Sequence, residues 1–502
     1  MFEYELETLS GKRIPLHIED RMYVDGEFVG SDETFETEHP PTNEVLANLP
    51  VASEEQVDRA VQAAKRASMV WRDLDVFERR EILEDFADFL EAHEAELTNL
   101  DVADNGSSIA RMKFDVEKGA KNIRYMAGIA HELKGESPPT GANTHDWTQR
   151  EPFGVVAGIV PFNHPNMFVS EKIAPALAAG NGIVVKPSEF TSLSALYIGH
   201  LVEKFGRFPD GLVNVVTGFG ETGASLVENR DTGLVSMVGG PETGKAIMRG
   251  AASHLAPVLL ELGGKNPFIV FPDATMDDVV DGLQGAMALP WQGQSCGSGT
   301  RLLVHEDAYD DVVPAIVDRV ESVTVGDPFD ESNTMGSVVS EPQFEKVVGY
   351  IEQAREEGAE VLTGGEVVDD YDTGYFLRPT IFRATPEHTI AHEETFGPVL
   401  TVMTWSDYDE MVGVANDIDY GLAASVWTND LNSAHRAADD IEAGYIWINQ
   451  HGRHYIGAPF GGYKESGIRG KEDLQELLDH TRVKNVNVDF SGDSPTLAGG
   501  NE

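Results

Sequence analysis

The sequence predicts an α/β protein built from two successive domains and a small two-stranded β element. The chain has 502 residues, more than one hydrophobic core normally serves, and 41% of them are apolar. From residue 155 onward, short apolar strands closed by glycine or proline alternate with helical segments. This alternation is typical of a parallel sheet covered by helices. The first such strands are expected at 155–162, 182–187, 212–218 and 234–240.

The domain limits are placed where the pattern of apolar strands and helical segments changes. We assign residues 1–129 and 150–260 to the first domain and residues 261–465 to the second. Within the first domain, apolar residues at helical spacing predict one amphipathic helix over 77–97.

Two segments outside these domains, 130–149 and 478–490, are predicted to pair as strands. The first is polar with a Pro-Pro-Thr-Gly turn, and the second alternates polar and apolar residues. Because a lone two-stranded hairpin is unstable in water, another chain must complete it. We therefore expect a homodimer or a homotetramer, and a flexible tail over 491–502.

The charge of the chain is strongly acidic. Asp and Glu total 85 against 37 Lys and Arg, a formal net charge of −48, and the acids are scattered. Such a surface repels nucleic acid and anionic membranes, so neither is expected as a partner. Because self-repulsion destabilises a compact state unless salt screens it, the composition indicates adaptation to a salty cytoplasm, with an ordinary acidic enzyme as the alternative.

The cellular location is predicted from three absences. One cysteine cannot form an intramolecular disulfide, which fits a reducing compartment. The first residues lack the basic-then-apolar pattern of a signal peptide, and no run of 18 apolar residues occurs. A cytoplasmic protein is expected.

Three residues carry the candidate chemistry. Cys296, the only cysteine, lies in GQSCGSGTR, where small residues let the backbone approach a substrate carbonyl; a lone intracellular cysteine is otherwise most often inert. Glu261 ends the apolar run VLLE, where a partly desolvated carboxylate suits a general base. Asn163 lies between two prolines in PFNHP, where a rigid amide donor could stabilise an oxyanion. Together they supply the groups for thiol attack on a carbonyl carbon.

Two glycine turns could hold a phosphate. GFGETG, residues 218–223, matches the G-x-G-x-x-G pattern after a predicted strand, and GGPETGK, residues 239–245, follows the next strand. Each leads into a helix N-terminus, where free N–H groups favour phosphate. The spacing alone leaves open which turn holds a pyrophosphate. The candidate glycines are Gly218 in the first turn and Gly239, Gly240 and Gly244 in the second.

Eight motifs occur in one order along the chain. They are PFNHP (161–165), KPSE (186–189), GGPETGK (239–245), ELGGK (261–265), GQSC (293–296), EETFGP (393–398), NDIDYGLAA (416–424) and PFGGYKESG (459–467). In this order they are highly specific, and the chain resembles the NAD(P)-dependent aldehyde dehydrogenase superfamily over roughly residues 20–490. The resemblance implies a Rossmann-like NAD-binding domain, an α/β catalytic domain and a small β oligomerisation hairpin.

The resemblance also implies roles for residues. Cys296 would be the nucleophile, Glu261 the general base and Asn163 the oxyanion donor. The second glycine turn would hold the pyrophosphate. NAD is the expected cofactor, because the carboxylate of Glu189 would repel the 2′-phosphate of NADP. Cofactor contacts are expected from Pro161, Phe162, Lys186, Ser188, Glu189, Gly218, Gly239, Gly240, Gly244, Leu262, Glu394 and Phe396.

The sequence departs from the family at two places. Gly240 stands where the family usually has a serine whose hydroxyl touches phosphate. The stretch SGIRGKED, residues 466–473, stands where the family commonly has Gly-Arg-Glu, so no role is transferred there.

The implied activity is NAD-dependent oxidation of an aldehyde to its carboxylic acid through a cysteine thiohemiacetal and a thioester. One alternative is a CoA-acylating semialdehyde dehydrogenase of the same fold, a branch that lacks the carboxylate of Glu261. Another is a non-catalytic binding or structural protein of this fold, in which drift at the three candidate residues would be expected. His388 and His392 could share a helix face, but no third ligand is evident, so no metal site is expected.

The substrate channel is expected to be polar. The resemblance places His164, Glu171, His454 and Phe460 along it. If Arg453 also pointed inward, its guanidinium could hold a substrate carboxylate. Semialdehydes or other polar small-molecule aldehydes are therefore the expected substrates.

Overall fold

The computed structural model describes residues 1–490, so the predicted flexible tail, 491–502, lies outside the described residues. The strands, in chain order, are β1 (Phe2–Glu7), β2 (Arg13–Ile18), β3 (Met22–Val24), β4 (Glu27–Val29), β5 (Thr34–His39), β6 (Glu44–Pro50), β7 (Thr144–Pro152), β8 (Val155–Ile159), β9 (Gly182–Lys186), β10 (Val213–Val215), β11 (Leu234–Val238), β12 (Val258–Glu261), β13 (Pro267–Val270), β14 (Arg301–His305), β15 (Glu360–Thr363), β16 (Thr380–Arg383), β17 (Val399–Trp405), β18 (Tyr420–Gly421), β19 (Ala423–Trp427), β20 (Tyr445–Ile448), β21 (Tyr463–Lys464), β22 (Gly467–Ile468) and β23 (Thr481–Asp489).

The helices lie between these strands, and several begin at side-chain caps. Ser53 and Asp75, for example, each form a capping box that satisfies free N–H groups of the first turn. The helices are α1 (Glu54–Trp71), α2 (Val76–Glu91), α3 (Glu94–Asn105), α4 (Ile109–Ile129), α5 (Pro165–Ala178), α6 (Leu193–Phe205), α7 (Gly220–Glu228), α8 (Pro241–Ala251), α9 (Met276–Ala286), α10 (Glu306–Glu321), α11 (Glu341–Glu356), α12 (Tyr408–Asn416), α13 (Leu431–Asp440) and α14 (Leu474–Asp479), with 3₁₀ turns at Ala130–Glu132, Leu289–Trp291 and Thr389–Ala391.

The first sheet has eight strands in the order β22-β12-β11-β8-β9-β10-β3-β4. Its five central strands are parallel, while β22 at one edge and β3 and β4 at the other run antiparallel to their neighbours. The central strands are almost wholly buried, as expected of a sheet covered by helices on both faces. The four strands predicted from the sequence are present, each ending before the predicted limit.

Three details of the first domain differ from the prediction. Glu261 is the last residue of β12, so it belongs to the first sheet and not to the second domain. β22 returns to this sheet from beyond residue 465. The helix predicted over 77–97 is two helices, α2 and α3, because His93 leaves the helical conformation and its Nδ1 lies 2.8 Å from the Phe89 carbonyl oxygen.

The second sheet has seven strands in the order β15-β16-β17-β14-β13-β19-β20. All neighbours are parallel except the edge strand β15, which pairs antiparallel with β16. Its central strands are buried, with α9 and α10 packed on one side around Leu302 and Val304. The second sheet therefore stands as a separate α/β layer beside the first.

The segments predicted to pair do so, as β7 and β23. Their antiparallel register runs from Thr144 opposite Asp489 to Pro152 opposite Thr481, so β7 extends three residues past the predicted limit of 149. The strands come from distant parts of the chain, and this ribbon is therefore not a hairpin. No helix within residues 1–490 is both long and apolar enough to cross a lipid bilayer.

Candidate active site

Cys296 lies in the loop between the 3₁₀ turn Leu289–Trp291 and β14. The buried amide of Asn266 fixes this loop, because its Nδ2 donates to the carbonyl oxygens of Cys296 (2.7 Å) and Ser298 (2.9 Å). Gly293 has a φ of +71°, and a Cβ there would lie 2.1 Å from the Gly397 carbonyl oxygen, so only glycine fits. The loop therefore holds the thiol in a defined position.

The thiol lies where two cavities meet, since Cys296 lines both of them. Burial and the neighbouring carboxylate of Glu261 raise the pKa of Cys296 well above its ordinary value. The resting sulfur is therefore a neutral thiol that needs a base, and the carboxylate beside it is a group able to take its proton.

Glu261 and Asn163 come to this point from the carboxyl ends of β12 and β8, the two strands that flank β11. Glu261 closes β12 and its side chain is 5% exposed, with the ammonium of Lys471 3.4 Å from Oε2. Asn163 follows β8, and its Oδ1 is buried without a hydrogen bond to any described residue. Asn105 donates to the carbonyl oxygen of Phe162, which fixes the turn before Asn163. The three residues predicted to carry the chemistry are thus grouped at one site.

The first cavity has a volume of about 660 Å³ and opens at the carboxyl ends of β8, β9, β11 and β12. Open parallel sheets bind ligands at this edge. Both glycine turns border it, through the first turns of α7 and α8. The predicted residues that line it are Pro161, Phe162, Asn163, Lys186, Ser188, Glu189, Gly239, Gly240, Leu262, Cys296, Glu394 and Phe396.

Two of the predicted glycines do not line the first cavity. Gly218 has a φ of +139°, and its close contact with Thr222 shapes the turn before α7. Gly244 lies against Leu262, where a Cβ would come 2.9 Å from the Leu262 Cδ2, so it packs α8 against the loop after β12. Gly240 caps α8, and a Cβ there meets nothing within 4 Å, so a serine would fit sterically.

Charged groups are present at both ends of the first cavity. Lys186, at the end of β9, is buried, and its Nζ donates to the Pro187 carbonyl oxygen at 2.9 Å. Burial lowers its pKa, which Glu189 partly offsets. At the other end, Oε1 of Glu394 accepts a hydrogen bond from the Gly264 N–H at 2.9 Å, and burial raises the pKa of Glu394 to about 7.

Phe396 adopts a φ of +53°, a left-handed conformation unusual for an aromatic residue. Gln343 stabilises this turn by donating to the Phe396 carbonyl oxygen at 2.8 Å. The ring meets Phe162 edge to face, with centroids 5.6 Å apart. Strain of this kind persists where the surrounding structure fixes it, and here it aims a ring into the first cavity.

The second cavity has a volume of about 880 Å³ and approaches Cys296 from the opposite side. His164 and His454 line it, and each is held by a carboxylate: His164 Nδ1 lies 2.8 Å from Asp115 Oδ2, and His454 Nδ1 lies 3.3 Å from Glu472 Oε2. The cavity is rich in rings, which are contributed by Phe114, His164, Phe168, Trp291, Trp447, His451, His454 and Phe460.

The prediction that Arg453 holds a substrate carboxylate is wrong. Arg453 is exposed and does not line the second cavity; its guanidinium lies over the Tyr455 ring, 4.8 Å from the centroid. Its backbone, not its side chain, contacts the pocket wall, because the Arg453 carbonyl oxygen accepts from Trp447 Nε1 at 2.9 Å. His451 is no cation either, since burial lowers its pKa to about 4.

Glu171 also lies outside the lining of the second cavity. Its carboxylate is buried behind the wall, where Oε2 lies 3.2 Å from Lys471 Nζ. The carboxylate needs this partner, since an unpaired buried charge is costly. Sequence reasoning missed Lys471, which lines the cavity, although the irregular stretch SGIRGKED marked its neighbourhood. It also missed Trp291 and Trp447, which no motif distinguished from ordinary core residues.

The histidines considered as metal ligands are part of a loop. His392 Nε2 contacts the Pro386 carbonyl oxygen, and His388 Nδ1 accepts from the Thr385 N–H. Residues 1–490 contain no group of three or more side chains arranged to hold a metal ion.

Known proteins share this architecture. The aldehyde dehydrogenase family model matches residues 28–486. Aldehyde dehydrogenase TropH from Talaromyces stipitatus is 39% identical over 491 residues, 95% of each chain. The NAD+ complex of a Bacillus cereus aldehyde dehydrogenase is 40% identical with a TM-score of 0.91, covering 94% of this chain and 96% of that one. PnpE from Pseudomonas sp. WBC-3 is 38% identical with a TM-score of 0.93, covering 96% of this chain and 100% of that one. The chain belongs to the aldehyde dehydrogenase family.

Proposed function

We propose that this enzyme oxidises an aldehyde to its carboxylic acid with NAD and water, through intermediates bound covalently to Cys296. The observation that carries the proposal is the position of the thiol at the junction of the two cavities. The aldehyde enters through the second cavity and the cofactor occupies the first. Cys296 is the residue of 1–490 that lines both cavities.

The chain supplies the groups for each step. Glu261 takes the thiol proton, and the sulfur attacks the carbonyl carbon to form a thiohemiacetal. The Asn163 amide and the Cys296 N–H, which donates to no backbone carbonyl within residues 1–490, stabilise the oxyanion. Loss of the carbonyl hydrogen as hydride leaves a thioester. Glu261 releases the first proton to solvent and then takes a proton from water. The hydroxide attacks the thioester carbon, the carbon–sulfur bond breaks, the acid leaves and the thiolate regains its proton from Glu261.

The first cavity fits a dinucleotide. Two helix N-termini border it, and the cap of α8 is a glycine without a side-chain acceptor, which leaves its N–H groups free for phosphate. Glu189 and Glu394 provide carboxylates for ribose hydroxyls at separate places. When bound, NAD supplies the hydride acceptor. Because Glu189 would repel a 2′-phosphate, we propose a preference for NAD over NADP.

The carboxylate of Glu261 favours hydrolysis over transfer to CoA. It lies beside the thiol, where it can activate water. The test is to follow NADH formation and product identity with and without CoA. Formation of the free acid without CoA supports the proposal, and a requirement for CoA contradicts it.

The ring-lined second cavity suits an aldehyde with an apolar or aromatic body. Phe168, Trp447 and Phe460 face it, whereas Arg453 does not. Apolar and aromatic bodies gain free energy by burial against such rings. We therefore propose that benzaldehyde is oxidised with a higher kcat/KM than succinic semialdehyde, the reverse of the expectation drawn from the sequence. A preference for succinic semialdehyde contradicts this.

Assembly and environment are part of the proposal. The exposed ribbon of β7 and β23 is a candidate contact between subunits, since a two-stranded ribbon gains stability from a further strand or surface. We propose a homodimer or homotetramer in the cytoplasm, and a fold that gains stability from salt because its net charge is −48. The molar mass of the protein, measured by light scattering during size-exclusion chromatography, tests the oligomeric state. The dependence of Tm on KCl concentration tests the stabilisation by salt, and we expect Tm to rise with KCl.

A further inference from the structure

Lys471 lies in SGIRGKED, where the sequence departs from the order common in the family. Its backbone pairs with Phe460: the Phe460 N–H donates to the Lys471 carbonyl at 2.9 Å, and the Lys471 N–H donates to the Phe460 carbonyl at 2.8 Å. This bridge places the side chain in the wall of the second cavity, which Cys296 also lines. The departure therefore falls at the reaction centre.

The ammonium of Lys471 is buried between carboxylates and rings. Nζ lies 3.2 Å from Glu171 Oε2 and 3.4 Å from Glu261 Oε2, and the side chain is 9% exposed. The ring centroids of Phe168 and Phe460 lie 4.5 and 5.8 Å from it. Burial alone would expel the charge, but the two carboxylates outweigh burial and raise the pKa of Lys471 well above its ordinary value. The group therefore remains a cation at the working pH.

Glu261 depends on this cation. Within residues 1–490, the Cys296 thiol is the hydrogen-bond donor that faces its carboxylate oxygens. Lys471 is the cation within ion-pair distance of it in that part of the chain. Burying a carboxylate without a partner is costly, so the ion pair with Lys471 stabilises Glu261 in the position that faces the thiol.

We propose that Lys471 is a positioning residue that holds the Glu261 carboxylate beside the Cys296 thiol. The proposal rests on the proposed function, in which Glu261 takes a proton first from sulfur and then from water. In each step the proton moves to a Glu261 oxygen while the ammonium keeps its own protons, and Glu261 releases the first proton to solvent before it takes the second. Glu171 lies on the other side of Lys471 and competes with Glu261 for the positive charge of its ammonium.

The same cation acts on the thiol. Burial and Glu261 raise the pKa of Cys296, whereas Lys471 lowers it. Loss of the ammonium must therefore move thiolate formation to higher pH, and loss of the competing carboxylate of Glu171 must move it to lower pH. The other titratable groups around this pair are Lys118 from α4, Lys172 from α5, Glu394 before β17, His454 after β20, Glu472 before α14 and Glu476 within it.

The pH dependence of Cys296 alkylation by iodoacetamide tests the proposal. Because Cys296 is the only cysteine, the increase in protein mass reports this thiol alone. In Lys471→Met the midpoint should rise by about one pH unit or more, while Lys471→Arg should keep it close to wild type. Glu171→Gln should lower it. Lys118→Met is the matched control: it removes an ammonium 3.8 Å from Glu171 and 3.2 Å from Glu472, and Lys118 forms no ion pair with Glu261.

An unchanged midpoint in Lys471→Met overturns the proposal. So does an equal shift in Lys118→Met, which would attribute the effect to the buried charges as a whole. If Lys471→Met does not fold, Glu171→Gln decides: a lower midpoint supports the proposal, and an unchanged or higher one overturns it. Alkylation needs neither aldehyde nor NAD, so failure of the proposed function would show separately, as absence of NADH formation by the wild type.

Discussion

The two cavities that meet at Cys296 are built in different ways. The first cavity is formed by strand ends, glycine turns and helix N-termini, so backbone groups make much of its wall. The second cavity is formed by side chains from α4, α5, the Cys296 loop and the loop after β20, which are distant in sequence. A ligand in the first cavity is therefore recognised largely by the fold, and a ligand in the second largely by individual side chains.

This difference predicts which changes affect which ligand. Substitutions at the thiol should remove turnover without affecting the cofactor, and substitutions at Glu394 should affect the cofactor first. Substitution of a residue that is adjacent in sequence to a lining residue of the second cavity, but does not itself line it, should change neither turnover nor cofactor binding.

The largest effect is expected for Cys296→Ala. The thiol forms the covalent bond to the substrate, so turnover should fall by about 10⁴-fold or more. NAD affinity should remain within about twofold of wild type, because the groups proposed to hold NAD, which are Glu189, Glu394 and the second glycine turn, do not include the thiol. Steady-state NADH formation and calorimetric titration with NAD measure the two effects. If Cys296→Ala lost NAD affinity as well as turnover, the two cavities would not bind their ligands independently.

The next largest effect is expected for Asn163→Ala. Removing one oxyanion donor typically costs about 10²–10³ in kcat. Asn163→Asp is the matched variant, since it keeps the shape but loses the amide donor. Both should lower kcat far more than they raise KM. A change confined to KM would show that Asn163 only binds the ground state.

A smaller effect is expected from the titration of Glu394. Burial raises the pKa of this carboxyl to about 7, and its ionised form would accept hydrogen bonds from the ribose hydroxyls in the proposed complex. NAD should therefore bind about tenfold more tightly at pH 8 than at pH 6, because raising the pH removes the proton that binding must otherwise displace. In Glu394→Gln this dependence should disappear. A wild-type affinity that is flat with pH contradicts the assignment.

The smallest effect is expected for Arg453→Ala. Its guanidinium lies on Tyr455 at the surface, so the kcat/KM ratio between benzaldehyde and succinic semialdehyde should stay within about twofold of wild type. Trp447→Ala is the contrasting variant, since that ring lines the second cavity and its loss should weaken benzaldehyde oxidation. If Arg453→Ala selectively lowered kcat/KM for succinic semialdehyde, Arg453 would hold the substrate carboxylate after all, and the structural assignment would be contradicted.

The sequence predicted the first cavity better than the second, and the reason is the difference in how the two cavities are built. Positions such as Lys186 and Glu394 could be located because each belongs to a short motif at a strand end or turn, and local chain geometry places them. Glu261 and Asn163 were found for the same reason. The exceptions, Gly218 and Gly244, are glycines that serve packing inside such motifs.

The second cavity could not be predicted in this way. Whether Arg453 points into a pocket depends on a loop conformation and on Tyr455, and neither leaves a periodic pattern. Two tertiary contacts bring the Lys471 side chain close to the thiol. β22 returns to the first sheet, and the backbone of Lys471 pairs with that of Phe460. Such placements depend on tertiary packing between distant segments, which spacing in one sequence does not encode.

The most direct test of the account is the mass of Glu261→Gln after rapid mixing with NAD and a good aldehyde. Gln keeps the shape of the side chain but cannot take a proton from water. At alkaline pH the thiol ionises without a base, and more readily once the Glu261 charge that raises its pKa is gone, so the acyl group should form and remain on sulfur. We predict a protein heavier by one acyl group, carried on Cys296 and released by hydroxylamine, with NADH formed in a single burst. Normal turnover without an adduct would contradict the account.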